Sequence, residues 1–345
     1  MCDKLEKNTL LLSFMAYLTP DRICSLISKY LNKDFSVCWG PAYYNGDSII
    51  KEGLAYIVKS TDKNPTYFIV FRGTNFFSVD SWCNQDFAVK NLIRWDRVPK
   101  ENPSGDDFIN PSDQIPAISE GANLSMNISV NKLKHNDQSI FDFLIDENKK
   151  LPAGQKMKIY VTGHSLGGLL SSTFGLWLND KWNVENKPEI YIYSYAGPSA
   201  GNENFAKYSD SVFKNNCNRF VGAKDKNTKL DVAVNVWNEK EMSNIPNLYG
   251  DIKMNKLEKA AYDIFFENIQ GKRYLQVNND NPLIIKSRVY LSPLDSFSLE
   301  MAMQHARPYV AKLLECFIFG TERELVNIII EESIPDKKLL DMVKP

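Results

Sequence analysis

Short runs of apolar, β-branched and aromatic residues recur along the chain: Leu54 to Val58, Tyr67 to Phe71, Met157 to Val161, Ile190 to Tyr195, Arg219 to Gly222 and Leu283 to Leu291. Each has the length of a strand, and apolar residues at helical spacing lie between several of them. Ile140, Phe141, Leu144 and Ile145 form one such pattern, and Leu169, Leu170, Phe174, Leu176 and Leu178 form another. The alternation predicts an α/β fold with a mostly parallel central sheet flanked by helices. Leu54 to Phe71 differs: two runs joined by Thr61-Asp62-Lys63-Asn64-Pro65 predict a hairpin leading into that sheet.

Further segments read as additions to a single domain spanning 1–345. The stretch 95–116 carries four prolines and predicts an irregular surface loop. Leu257, Ala260, Ala261, Ile264 and Phe265 predict an amphipathic helix inserted near 253–270. Thr321 and Glu324 have capping-box spacing ahead of Leu325, Ile328 and Ile329, which predicts a C-terminal helix near 321–334. Leu10 to Leu18 is too short and too interrupted to span a bilayer. The preceding residues mix Asp3 and Glu6 with Lys4 and Lys7, and Thr19-Pro20-Asp21-Arg22 follows, which suits a packed first helix better than a secretion signal.

Composition narrows the function classes. Hydrophobic residues make up 43% and aromatics 12%, which excludes a largely disordered chain. Forty-one Lys+Arg against 42 Asp+Glu leaves no basic footprint for nucleic acid. The six cysteines are widely spaced, with no CxxC pair and no histidine nearby, so neither a zinc site nor a dense disulfide framework is expected. A reducing, cytoplasmic setting is the simplest expectation, although export without a cleaved signal also fits.

The chemistry concentrates in Lys158-Ile159-Tyr160-Val161-Thr162-Gly163-His164-Ser165-Leu166-Gly167-Gly168. An apolar strand runs into Gly-x-Ser-x-Gly, and a helical pattern starts at once. This arrangement exposes a serine hydroxyl on a sharp turn, with Gly163 and Gly167 where strand and helix backbones pass closely. The unpaired N–H groups of the helix, from Leu166 onward, point toward the place where an oxyanion would develop. A serine hydroxyl needs a base, and the chain has three histidines. His164 is part of the elbow and directed away from the nucleophile, and His135 lies in a polar run that reads as a solvated helix start. His305 remains, placed by this reading on a loop just ahead of a helix beginning at Pro308.

Gly163-His164-Ser165-Leu166-Gly167-Gly168 resembles the nucleophile elbow of the class 3 lipases, the fungal-type triacylglycerol lipases and their bacterial relatives. The similarity extends from about Leu54 to Leu314. It implies the α/β-hydrolase fold and a triad in chain order Ser, Asp, His. His305 followed four residues later by Tyr309 matches the end of that family's catalytic domain. Tyr195-Ala196-Gly197-Pro198-Ser199-Ala200-Gly201-Asn202 resembles its Gly-x-Pro-x-x-Gly-Asn turn. The family's strand opening with arginine, with an aspartate six residues on, matches Arg219 and Asp225, so Asp225 is the implied carboxylate. The Val-Pro that usually follows is missing, and Asp231 is the runner-up.

The resemblance also assigns the oxyanion donors to the backbones of Thr74, after Phe71-Arg72-Gly73, and Leu166. It places Trp82 and Asp86 in a segment where Phe76, Phe77, Val79 and Trp82 form an apolar cluster. That segment reads either as a core-facing helix or as a lid, a role the 95–116 loop could share. The expected activity is serine-dependent ester hydrolysis without metal or cofactor. Its substrate would be an acylglycerol met at a lipid–water interface. Phospholipase A1 and small-ester carboxylesterase use the same residues. A non-catalytic lipid- or partner-binding scaffold is the remoter alternative.

Overall fold

The computed structural model describes residues 3–46, 52–62, 64–73, 88–152, 154–290, 296–334 and 337–344. Its strands in chain order are β1 (Phe35–Asn45), β2 (Glu52–Ser60), β3 (Thr66–Phe71), β4 (Leu92–Arg94), β5 (Ala117–Ser119) and β6 (Lys158–His164). They continue with β7 (Glu189–Tyr195), β8 (Gly201–Asn202), β9 (Cys217–Asp225), β10 (Thr228–Lys229), β11 (Tyr274–Leu275) and β12 (Leu283–Lys286). The longer helices are α1 (Lys4–Met15), α2 (Pro20–Tyr30), α3 (Glu120–Asn127), α4 (Ile140–Lys149), α5 (Leu166–Lys181) and α6 (Glu203–Phe213). After the short α7 (Glu239–Met242) come α8 (Lys256–Ile269), α9 (Phe297–Cys316), α10 (Thr321–Ser333) and α11 (Lys337–Val343).

The main sheet runs β1-β2-β3-β6-β7-β9-β10, with β12 also paired to β9. The β3-β6-β7-β9-β12 pairings are parallel, while β1, β2 and β10 are antiparallel additions. Strand alternation explains why both faces need cover. Phe68 and Val70 of β3 join one buried cluster with Leu10 to Met15 of α1, whereas Ile69 and Phe71 join the other with Leu169, Leu170 and Phe174 of α5. The small sheet β11-β8-β5-β4 flanks this core.

The first apolar stretch is a helix packed on the sheet, as its pattern predicts. Thr9 through Met15 are all buried. Burying each large apolar side chain contributes roughly 1.5–3 kcal/mol. The two polar residues inside the run are matched rather than abandoned. Thr9 hydrogen-bonds the Tyr195 hydroxyl at 2.8 Å and Ser13 bonds Thr162 at 3.0 Å.

The helix expected near 253–270 forms as α8, capped by Asn255 with a full capping box to Glu258. At the C-terminus the helix forms, but its cap differs. Gly320 is the N-cap and Thr321 already lies inside α10, so the Thr321–Glu324 capping box is not made. β1 was not visible in the sequence because Gly40-Pro41 interrupts it. Proline cannot donate to a ladder, and the strand tolerates it by running along the sheet edge, with one register shift between Val37 and Trp39 and another between Trp39 and Ala42, across the proline. Cys316 is disulfide-bonded, which departs from the expected reduced state, while Cys24, Cys38 and Cys217 are free thiols.

Candidate active site

Ser165 sits between β6 and α5 with φ +61° and ψ −127°. This backbone region costs a non-glycine residue of order 1–3 kcal/mol, which the surrounding structure must supply. The Ser165 N–H donates to the Tyr195 carbonyl at 2.9 Å, and its own carbonyl accepts from Gly168 at 2.8 Å. The elbow also requires bare backbones. A β-carbon on Gly163 would collide with the Gly167 backbone, and one on Gly167 would collide with the Phe71 carbonyl. Leu166, at the first helical position, has no intrahelical acceptor for its N–H, so that donor remains available at the turn.

His305 lies within α9, not on a loop before it. The helix begins at Phe297, capped by Ser296, and contains Pro308 in its interior. The proline had suggested a helix start, but it lies in the helix interior, where β9 passes close at Gly222. A β-carbon there would be 3.4 Å from both the Gln304 carbonyl and Pro308 Cγ. The His305 ring is fully buried and its Nδ1 is 3.0 Å from Asp231 Oδ1.

Asp225 is not the partner of His305. It is exposed at the β9–β10 turn, where its Oδ1 accepts from the Asn227 and Thr228 N–H groups at 2.9 Å each. Those backbone donors, Asn227 first, lower its carboxyl below the ordinary value. The correction has a local cause. The β9–β10 hairpin carries the chain outward past Asp225 and then back. The N–H groups of Leu230 and Asp231 then donate to the Gly222 carbonyl at 3.0 and 3.2 Å. Asp231 therefore returns beside the strand six residues later in sequence than expected.

The Asp231 carboxylate is fully buried and well supplied with donors. Beyond His305, it accepts from Ala233 N–H at 3.0 Å and from the Tyr309 hydroxyl at 2.9 Å. The Tyr309 oxygen in turn accepts from Gly222 N–H at 2.9 Å. Burial, then the neighbouring Asp231 charge, pushes the Tyr309 phenol well above its ordinary value, so it stays a donor. With Nδ1 directed at the carboxylate, Nε2 is the nitrogen left to act as base.

His164 is fully buried against this assembly rather than remote from it. Its ring centroid is 4.7 Å from that of His305, and its Nε2 is 3.0 Å from the His305 carbonyl oxygen. Sequence reading excluded it as the base and missed this contact. His135 lies in a tight turn bridged to Gln138, not at a helix start. Thr74, Phe76, Phe77, Trp82 and Asp86 lie outside the described residues.

Ser165 opens onto an apolar cavity of about 130 Å³. Val232, Val236 and Trp237 line it from the segment after Asp231, and Ala261, Tyr262 and Phe265 from α8. Sequence patterning marked α8 as amphipathic but gave no sign that its apolar face would meet the serine. Among the described residues no cluster of three or more His, Cys, Asp or Glu could hold a metal ion, and no helix is long and apolar enough to cross a membrane.

Residues 68–234, which include the elbow and Asp231, match the lipase (class 3) family. The chain resembles the class 3 lipases. Lipases from Rhizopus niveus and Rhizopus oryzae are each 27% identical to it over 165 residues, covering 48% of this chain and 34% of theirs. The aligned stretch thus spans about one third of the length of those relatives. The crystal structure of M37 lipase superposes with a TM-score of 0.77 at 24% identity, covering 98% of both chains. That likeness shows the shared α/β-hydrolase fold, including the parts of this chain outside residues 68–234.

Proposed function

We propose that this protein is a serine ester hydrolase acting on acylglycerols, with Ser165 as nucleophile, His305 as base and Asp231 as the orienting carboxylate. The observation that carries the reading is the buried Asp231–His305 pair beside a strained serine elbow that opens onto an apolar cavity. Ser165 Oγ attacks the acyl carbonyl and passes its proton to His305 Nε2. Asp231 keeps the imidazole in the useful tautomer and stabilises its cation. The Leu166 N–H supplies one oxyanion donor, and the sequence resemblance assigns the other to Thr74. His305 then protonates the leaving alcohol. Water, deprotonated by the same ring, releases the fatty acid and restores Ser165.

The cavity supports a preference within the ester class. A void of about 150 Å³ lined by apolar side chains accommodates benzene. By that measure, the 130 Å³ beside Ser165 seats at least roughly the first five or six carbons of an acyl chain, and its open side leaves room for the rest. p-Nitrophenyl esters from C2 to C16 should therefore gain most in kcat/KM between C2 and about C6, the lengths that fill the apolar walls. Phe265→Ala, which removes a ring from the α8 wall, should reduce that gain. An unchanged profile in that variant would remove the cavity from the account. Emulsified tributyrin separates the lipase reading from the small-ester carboxylesterase reading, which the modest cavity also favours. A lipase gains activity above the substrate's solubility limit, and an esterase saturates below it.

A further inference from the structure

The geometry points to Tyr17 and His164 as positioning residues that hold the catalytic imidazole from below, an inference that rests on the hydrolase reading above. The His305 carbonyl can only accept, so the His164 Nε2 that lies 3.0 Å from it carries the proton. Nδ1 of His164 is then the acceptor, and it lies 3.1 Å from the Tyr17 hydroxyl, which donates to it. Burial, and then the neighbouring His305, depress the His164 imidazole well below its ordinary value, which keeps this neutral tautomer in place.

The chain of contacts joins three parts of the protein. Tyr17 follows α1, in a segment outside the family-matched residues 68–234. His164 immediately precedes the nucleophile, and His305 comes from α9. Phe14, Tyr17 and Tyr309 pack around the His164 ring at centroid distances of 5.4, 6.1 and 4.9 Å. A β-carbon on Gly73 would strike both the Tyr17 hydroxyl and the His164 carbonyl, so the end of β3 is seated on the same group. Asp231 fixes His305 through its ring, while His164 fixes its backbone. The two restraints act on different atoms, and together they set where Nε2 lies relative to Ser165.

A displacement of about 1 Å in such a group can cost on the order of a hundredfold in rate. His164→Leu should therefore lower kcat by roughly ten- to a hundredfold with KM within about twofold. His164→Gln, whose amide N–H can donate to the His305 carbonyl, should recover much of that loss. Tyr17→Phe, which deletes a single hydroxyl, should lower kcat by about three- to tenfold. Each variant is compared by circular dichroism and by its rate of labelling with a fluorophosphonate, which reads Ser165 reactivity independently of acyl binding. A folded Tyr17→Phe protein that labels and turns over at the wild-type rate would overturn the inference. So would equal kcat losses in His164→Leu and His164→Gln. If His164→Leu does not fold, the Tyr17→Phe and His164→Gln rates decide. Wild-type protein that neither labels nor hydrolyses esters would instead remove the underlying hydrolase reading.

Discussion

Ser165→Ala should lower kcat on any ester substrate by roughly 10⁴-fold or more while leaving the protein folded. The hydroxyl supplies the bond-forming atom, so no neighbouring group substitutes for it. The proposed oxyanion donors and the cavity remain, which is why a residual rate above water is expected. The fold should tolerate the change because the methyl group fits where the hydroxyl stood, and the elbow's backbone bonds to Tyr195 and Gly168 involve no Ser165 side-chain atom. Equal thermal midpoints with activity lost would match this expectation. Substantial turnover in the variant would mean that the nucleophile lies elsewhere.

Two aspartates then separate the structural assignment from the sequence-based one. Asp231→Asn should lower kcat by roughly 10³- to 10⁴-fold, because the amide can neither stabilise the imidazolium nor hold the required tautomer. Asp225→Asn should leave kcat within about threefold of wild type. Asp225 serves only the β9–β10 turn, and an asparagine oxygen can accept the same two N–H bonds. Tyr309 stands between these extremes in principle, since it donates to Asp231 without reaching the reacting atoms. A catalytic collapse in Asp225→Asn with Asp231→Asn unaffected would reverse the assignment.

The parts of this site that sequence revealed are those whose chemistry is local. The elbow is legible because strand, serine, glycines and helix follow one another within a dozen residues, and each glycine answers a close backbone approach. His305 was legible by elimination, since the chain offers only three histidines. Its helix was not, because proline favours the first turn of a helix, whereas Pro308 lies in the interior of α9.

Asp231 was the runner-up for a similar reason. Counting residues from Arg219 lands on Asp225, and nothing in the spelling shows that a hairpin turns the chain back by residue 230. The one signal was Val232 directly after Asp231, half of the family's Val-Pro pair. Tyr17 and the α8 wall were invisible as site residues. Both approach Ser165 from distant parts of the chain, and neither carries a pattern beyond helix amphipathicity. The central sheet was more legible than the site, since fully buried parallel strands must be apolar on both faces.

The most direct test of the Ser165–His305–Asp231 assignment is intact-mass analysis and peptide mapping after treatment with a fluorophosphonate. The reagent forms a stable phosphonyl ester only with a serine whose proton has a base to receive it. One adduct per chain is expected, mapped to Ser165, absent in Ser165→Ala, and formed far more slowly in His305→Ala and Asp231→Asn than in Asp225→Asn. An unmodified wild-type protein, or an adduct on any other serine, would contradict the assignment.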